Sequence, residues 1–379
     1  MYYYFDNCAT TRVDEQVLQI LNKYHVETFY NPSALTNVSM MVKNDVENAR
    51  QRIAKALGVT AKELYFTSGG TEADNTAILG AVKNKKGNVV VTASEHSAVY
   101  NAVIQLKNRG VEVKIAKTTT DGHIDVEDFV ACVDENTILA CFMHVNNETG
   151  AINDVKQINS LVKSKNAQTI TFSDGVQAVG KIAVNVKSLG VDLYTFSGHK
   201  IHCSKGTGCL YVKNGVSVNP LIVGGGQENG FRSGTEYVAG CVALATAVEN
   251  AVKNVAANTQ KFDAYKQMLT DTLKNLGAKI NCTQNVSPAI FSVAFKQIKG
   301  EVLLRMLEMD GILVGTGSAC SSKNKVSRVM GAIGLENQYT EGVLRISFSK
   351  YNTTEQVQAL CDALTKNVTM LSKTMGVKL

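Results

Sequence analysis

The run "YTFSGHK" ends at Lys200. An amine at the end of a strand has two ordinary uses. It pairs with a carboxylate, or, held unprotonated, it attacks a carbonyl carbon and forms a Schiff base. Upstream, "FSDGVQAVGK" puts Asp174 at the end of another strand-like run, with Gln177 three residues on. "FTSGGTEADN" passes through Ser68, Gly69 and Gly70 into a helix expected to start near Thr71. Glycines there let the backbone come close to a ligand, and the free N–H groups of a helix start suit a phosphate. Thr-Glu after two glycines is equally a good helix cap. "ASEHSAV" sets His96, and "MHVNNETG" sets Asn147, just past two further strand-like runs. Far downstream, "GTGSACSSKNKVSRV" holds Cys320 among small residues and follows it with Lys323 and Lys325. A thiol must become a thiolate to act as a nucleophile, and nearby cations favour that form.

These side chains meet only if the strands that carry them end at one edge. From residue 45 to about 213 the pattern alternates. Strand-like runs occur at "ELYFTSG", "NVVVTAS", "EVKIAKT", "ILACFMHV", "TITFSDG", "DLYTFSG" and "GCLYVK", with helical periodicity between most of them, as in "VENARQRIAKALG" and "EADNTAILGAVKNKK". Such alternation predicts an α/β domain with a mostly parallel seven-stranded sheet. Ligands in such sheets bind beyond the carboxyl ends of the strands. The stretch from Asp174 to Lys200 is long enough for one crossover, so neighbouring strands bring the two to one edge. Residues 236 to about 276 read as long helices. "AIFSVAFK", a short "ILV" run and "VLRISFS" read as strands, with helices near 300–310, 324–332 and 354–372, the signature of a smaller α+β unit. The expected division is a large domain over 15–255 and a small one over 256–379 joined by segment 1–14.

Composition narrows the class. Apolar residues make up 45% and charged residues 19%, the balance of an ordinary soluble globule. The net charge of +6 is scattered, with no basic stripe for nucleic acid. "MYYYFDNCATT" has neither the basic start nor the apolar centre of a signal peptide, and no apolar run approaches a membrane span. Nine cysteines without regular spacing or a C-x-x-C pair argue against a disulfide scaffold or zinc ribbon and for a reducing cytoplasm. Most of them, such as Cys132 and Cys241, read as core filler.

A phosphate cradle, a Schiff-base lysine and a carboxylate able to hold a pyridinium nitrogen are together what pyridoxal 5'-phosphate (PLP) requires. The ring draws electrons from an amino acid's Cα only while its nitrogen stays protonated, which a close carboxylate favours. His96 is placed to stack on such a ring.

The motifs "SEHSAV", "MHVNNETG", "DGVQAVGK", "TFSGHK", "GGGQENGFRSGT" and "GTGSACSS", in this order over about residues 2–372, resemble those of the NifS-like cysteine desulfurases, PLP enzymes of fold type I. The resemblance implies that Lys200 is the PLP lysine, that Asp174 pairs the ring nitrogen, that Gln177 contacts the ring hydroxyl and that His96 stacks and donates a proton. Gly70, Thr71, Ser197 and His199 would hold the phosphate, and Asn147 and Arg345 the substrate carboxylate. It further implies a homodimer in which Thr235 reaches the partner subunit's phosphate. Cys320 would take sulfur from L-cysteine, leaving L-alanine, and pass it as a persulfide to an acceptor protein, an iron–sulfur scaffold or a tRNA-thiolation enzyme.

Four departures stand out. "HCSKG" brings Cys203, expected as core filler, where the family often has "HGPKG". Thr36 stands for a common histidine, Cys8 for a common alanine, and Gly175 for the usual alanine of "DAxQ". The chain also ends at "GVKL", where longer members continue into a tail that docks the scaffold. Two other readings compete: a selenocysteine lyase or aminotransferase of the same fold, and a noncatalytic sulfur- or metal-binding protein using His199, His202 and Cys203.

Overall fold

The computed structural model describes residues 2–83, 86–317 and 327–376. The chain opens with β1 (Tyr3–Tyr4) and two helices, α1 (Glu15–Val26) and α2 (Asn37–Leu57). The seven strand-like runs become β2 (Leu64–Thr67), β3 (Asn88–Thr92), β4 (Glu112–Ala116), β5 (Thr137–Cys141), β6 (Ile170–Asp174), β7 (Leu193–Ser197) and β8 (Gly208–Val212). They form one sheet in the order β2-β8-β7-β6-β5-β3-β4. β8 runs antiparallel to both neighbours, and the other pairs are parallel. Between the strands lie α3 (Gly70–Val82), α4 (Ser97–Asn108), α5 (Val126–Cys132), α6 (Val155–Lys165) and α7 (Val186–Leu189).

Strands β3, β5, β7 and β8 are buried along their whole length, which explains their continuous apolar runs: helices cover both faces. One face packs residues such as Val90, Ala140 and Phe196 against α2 and against α8 (Val238–Lys253), whose first turns are apolar nearly all round. The other packs Val89, Val91 and Leu139 against α3 and α4. Cys203 and Cys241 lie in the first of these cores, and Cys132 packs against it. α2 begins at Asn37, earlier than the strand–helix alternation suggested, because the Thr36 hydroxyl accepts the Ser39 N–H and caps it. Thr36 therefore has a local structural use.

The rest comprises α9 (Val255–Leu273), β9 (Ala278–Ile280), β10 (Ile290–Phe295), α10 (Gly300–Met309), β11 (Ile312–Leu313), α11 (Arg328–Ala332), α12 (Asn337–Thr340), β12 (Val343–Ser347) and α13 (Thr354–Met375). β12, β10 and β9 form an antiparallel sheet. β9 is three residues long, too short to show a period in the sequence. The "ILV" run does not join that sheet: Ile312 and Leu313 pair in parallel with Tyr3 and Tyr4. Phe5 enters the apolar core of this half with Phe262, Val293 and Phe348. The residues just after Phe5 are thereby carried across to the ends of β6 and β7. That crossing supplies one wall of the site.

Candidate active site

The adjacency of β6 and β7 brings Asp174 and Lys200 to one cavity of about 230 Å³. Its lining includes Gly70, Thr71, His96, Asn147, Asp174, Gln177, Ser197, His199, Lys200 and Arg345. Ten of the residues singled out from sequence thus converge, from the ends of five strands of the large sheet and from β12. Thr235 does not. It lines a separate crevice of about 330 Å³ with Lys205, Arg232 and Tyr237. Cys320, Lys323 and Lys325 lie outside the described residues.

Lys200 ends a single turn that follows β7. Its Nζ donates to the carbonyls of Cys8 (2.5 Å) and Ala9 (2.8 Å). No carboxylate pairs with it among the described residues, so the salt-bridge reading of Lys200 and Asp174 does not hold. Burial first, then the neighbouring ammonium of Lys181, pushes its pKa down to about 8. The amine is thereby far easier to deprotonate than an exposed lysine.

Asp174 is buried, and one of its oxygens accepts the Val176 N–H at 2.8 Å. Its carboxylate lies with those of Asp74 and the ring of His96 in a cluster whose ligand atoms are all within 4.8 Å. Burial raises the pKa of Asp174, and burial together with the charge of Asp174 raises that of Asp74 well above the usual range. Two carboxylates this close and this dry do not both stay ionised without a cation. Asp74 also accepts the Thr195 hydroxyl at 2.7 Å. Sequence reasoning passed over it, although it lies one helical turn after Thr71 in α3 and so shares a face with it.

His96 caps α4, its Nδ1 accepting the Ala98 N–H at 3.2 Å. Its proton therefore sits on Nε2. Burial lowers its pKa, which keeps the ring neutral and suited to stacking. His199 turns Nδ1 toward the Thr10 hydroxyl at 3.1 Å, and burial pushes its pKa down to about 4. Ser197 is buried, and its hydroxyl has only a long 3.5 Å contact with the Thr207 carbonyl. At Gly70 a Cβ would lie 2.8 Å from Val176, so a side chain would crowd the cradle.

Arg345, nearly wholly buried, is held by Asp6 (2.8 Å) and by the Asn147 carbonyl (2.9 Å). Its Nε and the Asn147 Oδ1 have no partner among the described residues. Asp6 had no sequence signal, because its role comes from the crossing of the N-terminal segment. Gly175 has a clear reason: a Cβ there would lie 2.1–2.2 Å from the Tyr194 ring and hydroxyl. Tyr194 in turn bonds His144 Nδ1 at 2.8 Å beneath Asp174. Here the bulky neighbour, not the turn, excludes alanine.

The cavity passes a test of fit for PLP. It exceeds the ~150 Å³ in which a benzene ring is held by proteins. It joins a deprotonable amine, a buried carboxylate short of a cation and the N-terminus of a 13-residue helix. The ligand-type side chains close enough to share an ion, among the described residues, are Asp74, His96 and Asp174. His199, His202 and Cys203 do not form such a group, since His202 turns Nδ1 to the Arg12 carbonyl and Cys203 is in the core.

The sequence model of the aminotransferase class-V family matches residues 3–360. The chain belongs to that family, as a NifS-like cysteine desulfurase. It is 38% identical over 372 residues to cysteine desulfurase IscS of Clostridium botulinum, covering 96% of this chain and 93% of that one. A solved NifS-like protein is 37% identical, with a TM-score of 0.92 over 98% of this chain and 100% of that one. A structure described as SspA in complex with cysteine is 29% identical, with a TM-score of 0.82 over 92% of this chain and 99% of that one. Class-V aminotransferases of this kind are PLP-dependent, and so is this enzyme. Among the described residues no helix is long and apolar enough to cross a membrane.

Proposed function

We propose that this cysteine desulfurase converts L-cysteine to L-alanine with the residue roles that follow. The observation that carries the reading is the shared cavity of Lys200 and Asp174, in which, among the described residues, neither forms an ion pair. Gly70, Thr71, Ser197 and His199 would hold the phosphate, Asp174 the ring nitrogen, Gln177 the ring hydroxyl, and His96 the ring face. PLP, when bound, supplies an electron-withdrawing ring that stabilises negative charge at the substrate Cα. Lys200 Nζ accepts the Cα proton, which its depressed pKa allows near neutral pH. Arg345, through its unpaired Nε, and Asn147 orient the substrate carboxylate. His96 donates from Nε2.

Cys320 takes the sulfur. As the thiolate forms an S–S bond, the substrate's Cβ–S bond breaks and its electron pair stays with the carbon skeleton. That carbon gains a proton and leaves as alanine, and the enzyme keeps a persulfide. The described residues on either side support this: the Ser327 hydroxyl donates to Glu148 at 2.6 Å, and Gly317 lies against the same carboxylate, next to Asn147. A thiol of an acceptor protein then removes the outer sulfur by exchange. We assign the enzyme to a reducing cytoplasm, in keeping with eight described cysteines that are all free. The large and small domains divide near residue 255, in keeping with separate apolar cores on either side.

Cys320→Ala is expected to retain PLP and bind cysteine while forming no persulfide, read by alkylation and mass spectrometry. Undiminished alanine release would remove Cys320 from the reaction.

A further inference from the structure

Behind Lys200 lies a second lysine that the reaction above does not use. Lys181 follows Gln177 by one helical turn's spacing, and its Nζ donates to Gln177 Oε1. The other end of that amide donates to the Cys8 carbonyl at 3.1 Å, the same oxygen that accepts Lys200 Nζ. Lys181, Gln177, the Cys8 carbonyl and Lys200 thus form one chain of hydrogen bonds. Lys181 and Lys200 also share a narrow crevice between the two halves of the molecule.

The acids nearest this pair on the N-terminal segment are committed elsewhere. Asp14, in the same crevice, accepts Lys350 Nζ at 2.5 Å and the Tyr351 hydroxyl. Asp6 is taken by Arg345. The remaining charged or titratable groups in electrostatic reach of Lys200 are Cys8, Arg345, itself a cation, and on the cavity side His96, His199 and Asp174, the last sharing the cavity without an ion pair to Lys200. No carboxylate pairs with Lys181 among the described residues.

We propose, resting on the assignment of Lys200 as the PLP lysine, that Lys181 is a positioning residue for Lys200, acting through Gln177 and through its own unmatched charge. Its bond to Oε1 settles which way the Gln177 amide points, so that the N–H end faces Cys8 and the cavity. Its charge disfavours a second ammonium beside it, a known means of activating a Schiff-base lysine. The depressed pKa of Lys200, for which Lys181 is the largest cause after burial, agrees. A pKa of about 8 leaves about half the amine neutral at pH 8, against below ~1% for an ordinary lysine.

The test is trace acetylation of full-length protein freed of PLP, across pH 6–11, with the Lys200 peptide quantified by mass spectrometry. Lys181→Met and Lys181→Gln are expected to slow Lys200 labelling at pH 8 by about threefold or more, while Lys181→Arg stays near the parent. In the PLP-loaded enzyme, the pH at which the cofactor's visible absorption titrates should rise in the Met and Gln variants and not in Arg. The rise should be larger for Met, which also loses the donor to Gln177. Labelling in both neutral variants that matches the parent would overturn the proposal, and equal shifts for Met and Gln would overturn its amide part. PLP should protect Lys200 from acetylation in the parent. Without that protection the assignment of Lys200 itself fails; with protection but unaltered variants, only the role of Lys181 does.

Discussion

Asp174 illustrates how a side chain gains function from what surrounds it. On a surface its carboxylate would be ionised and unremarkable. Here burial makes the anion costly unless a positive centre lies against it. A pyridinium N–H would relieve that cost and in return be held protonated, so the same residue that favours cofactor binding maintains the ring's electron demand. Asp174→Asn is expected to keep the cofactor yet lower alanine formation by about 10²–10³-fold, the usual loss when a preorganised electrostatic partner is removed. Steady-state rates with absorbance-determined PLP occupancy check this. Near-parental turnover at full occupancy would mean that Asp174 does not face the ring nitrogen.

At the scale of elements, the loop between β8 and α8 depends on one buried pair. Glu228 accepts both Nη groups of Arg50 in α2, at 2.7 and 2.8 Å, and the Phe66 N–H of β2 at 2.8 Å. Both side chains of the pair are more than nine-tenths buried. Glu228 and Asn229 adopt φ of +50° and +56°, a conformation that the pair must hold against local preference. This anchor sets the path of the chain toward Thr235. Glu228→Ala leaves Arg50 buried with the Leu64 carbonyl and, among the described residues, the exposed Glu47 as its one acid, and is expected to cost about 3–5 kcal/mol. Urea unfolding measures it, and a loss below about 1 kcal/mol would show that the loop stands without the pair.

On the scale of the whole molecule, the single chain leaves Thr235 away from Lys200 and leaves several large apolar side chains uncovered. Leu35 is 98% exposed, Val223 77%, Val26 73% and Phe29 66%. The elements that carry them adjoin: the ring of His25 at the end of α1 lies tilted against that of Tyr237, two residues from Thr235, and the α1–α2 connection shares a crevice with residues of the 225–236 segment. Such a patch marks an association surface. We propose a homodimer formed there, each subunit presenting Thr235 to the partner subunit's phosphate. Light scattering should give about twice the chain mass of 40.8 kDa. Leu35→Glu combined with Val223→Glu is expected to yield monomers with weakened PLP binding. A fully active monomer would refute the shared site.

The sequence by itself determined the order of strands and helices, because period-2 and helical patterns are local, and it determined which strand ends carry Lys200, Asp174, His96 and Asn147. It also pointed to PLP, since few other ligands need a phosphate cradle, an amine and an acid together. What it left undecided is whatever depends on distant segments meeting. Asp6, Cys8 and Ala9 reach the site only because β1 pairs with β11 and Phe5 docks in the second core. Asp74 and Lys181 matter through charge at close range in a dry cavity, and such proximity has no linear signature. The tertiary structure also decided the reason for Gly175, which answers to a tyrosine on the next strand over.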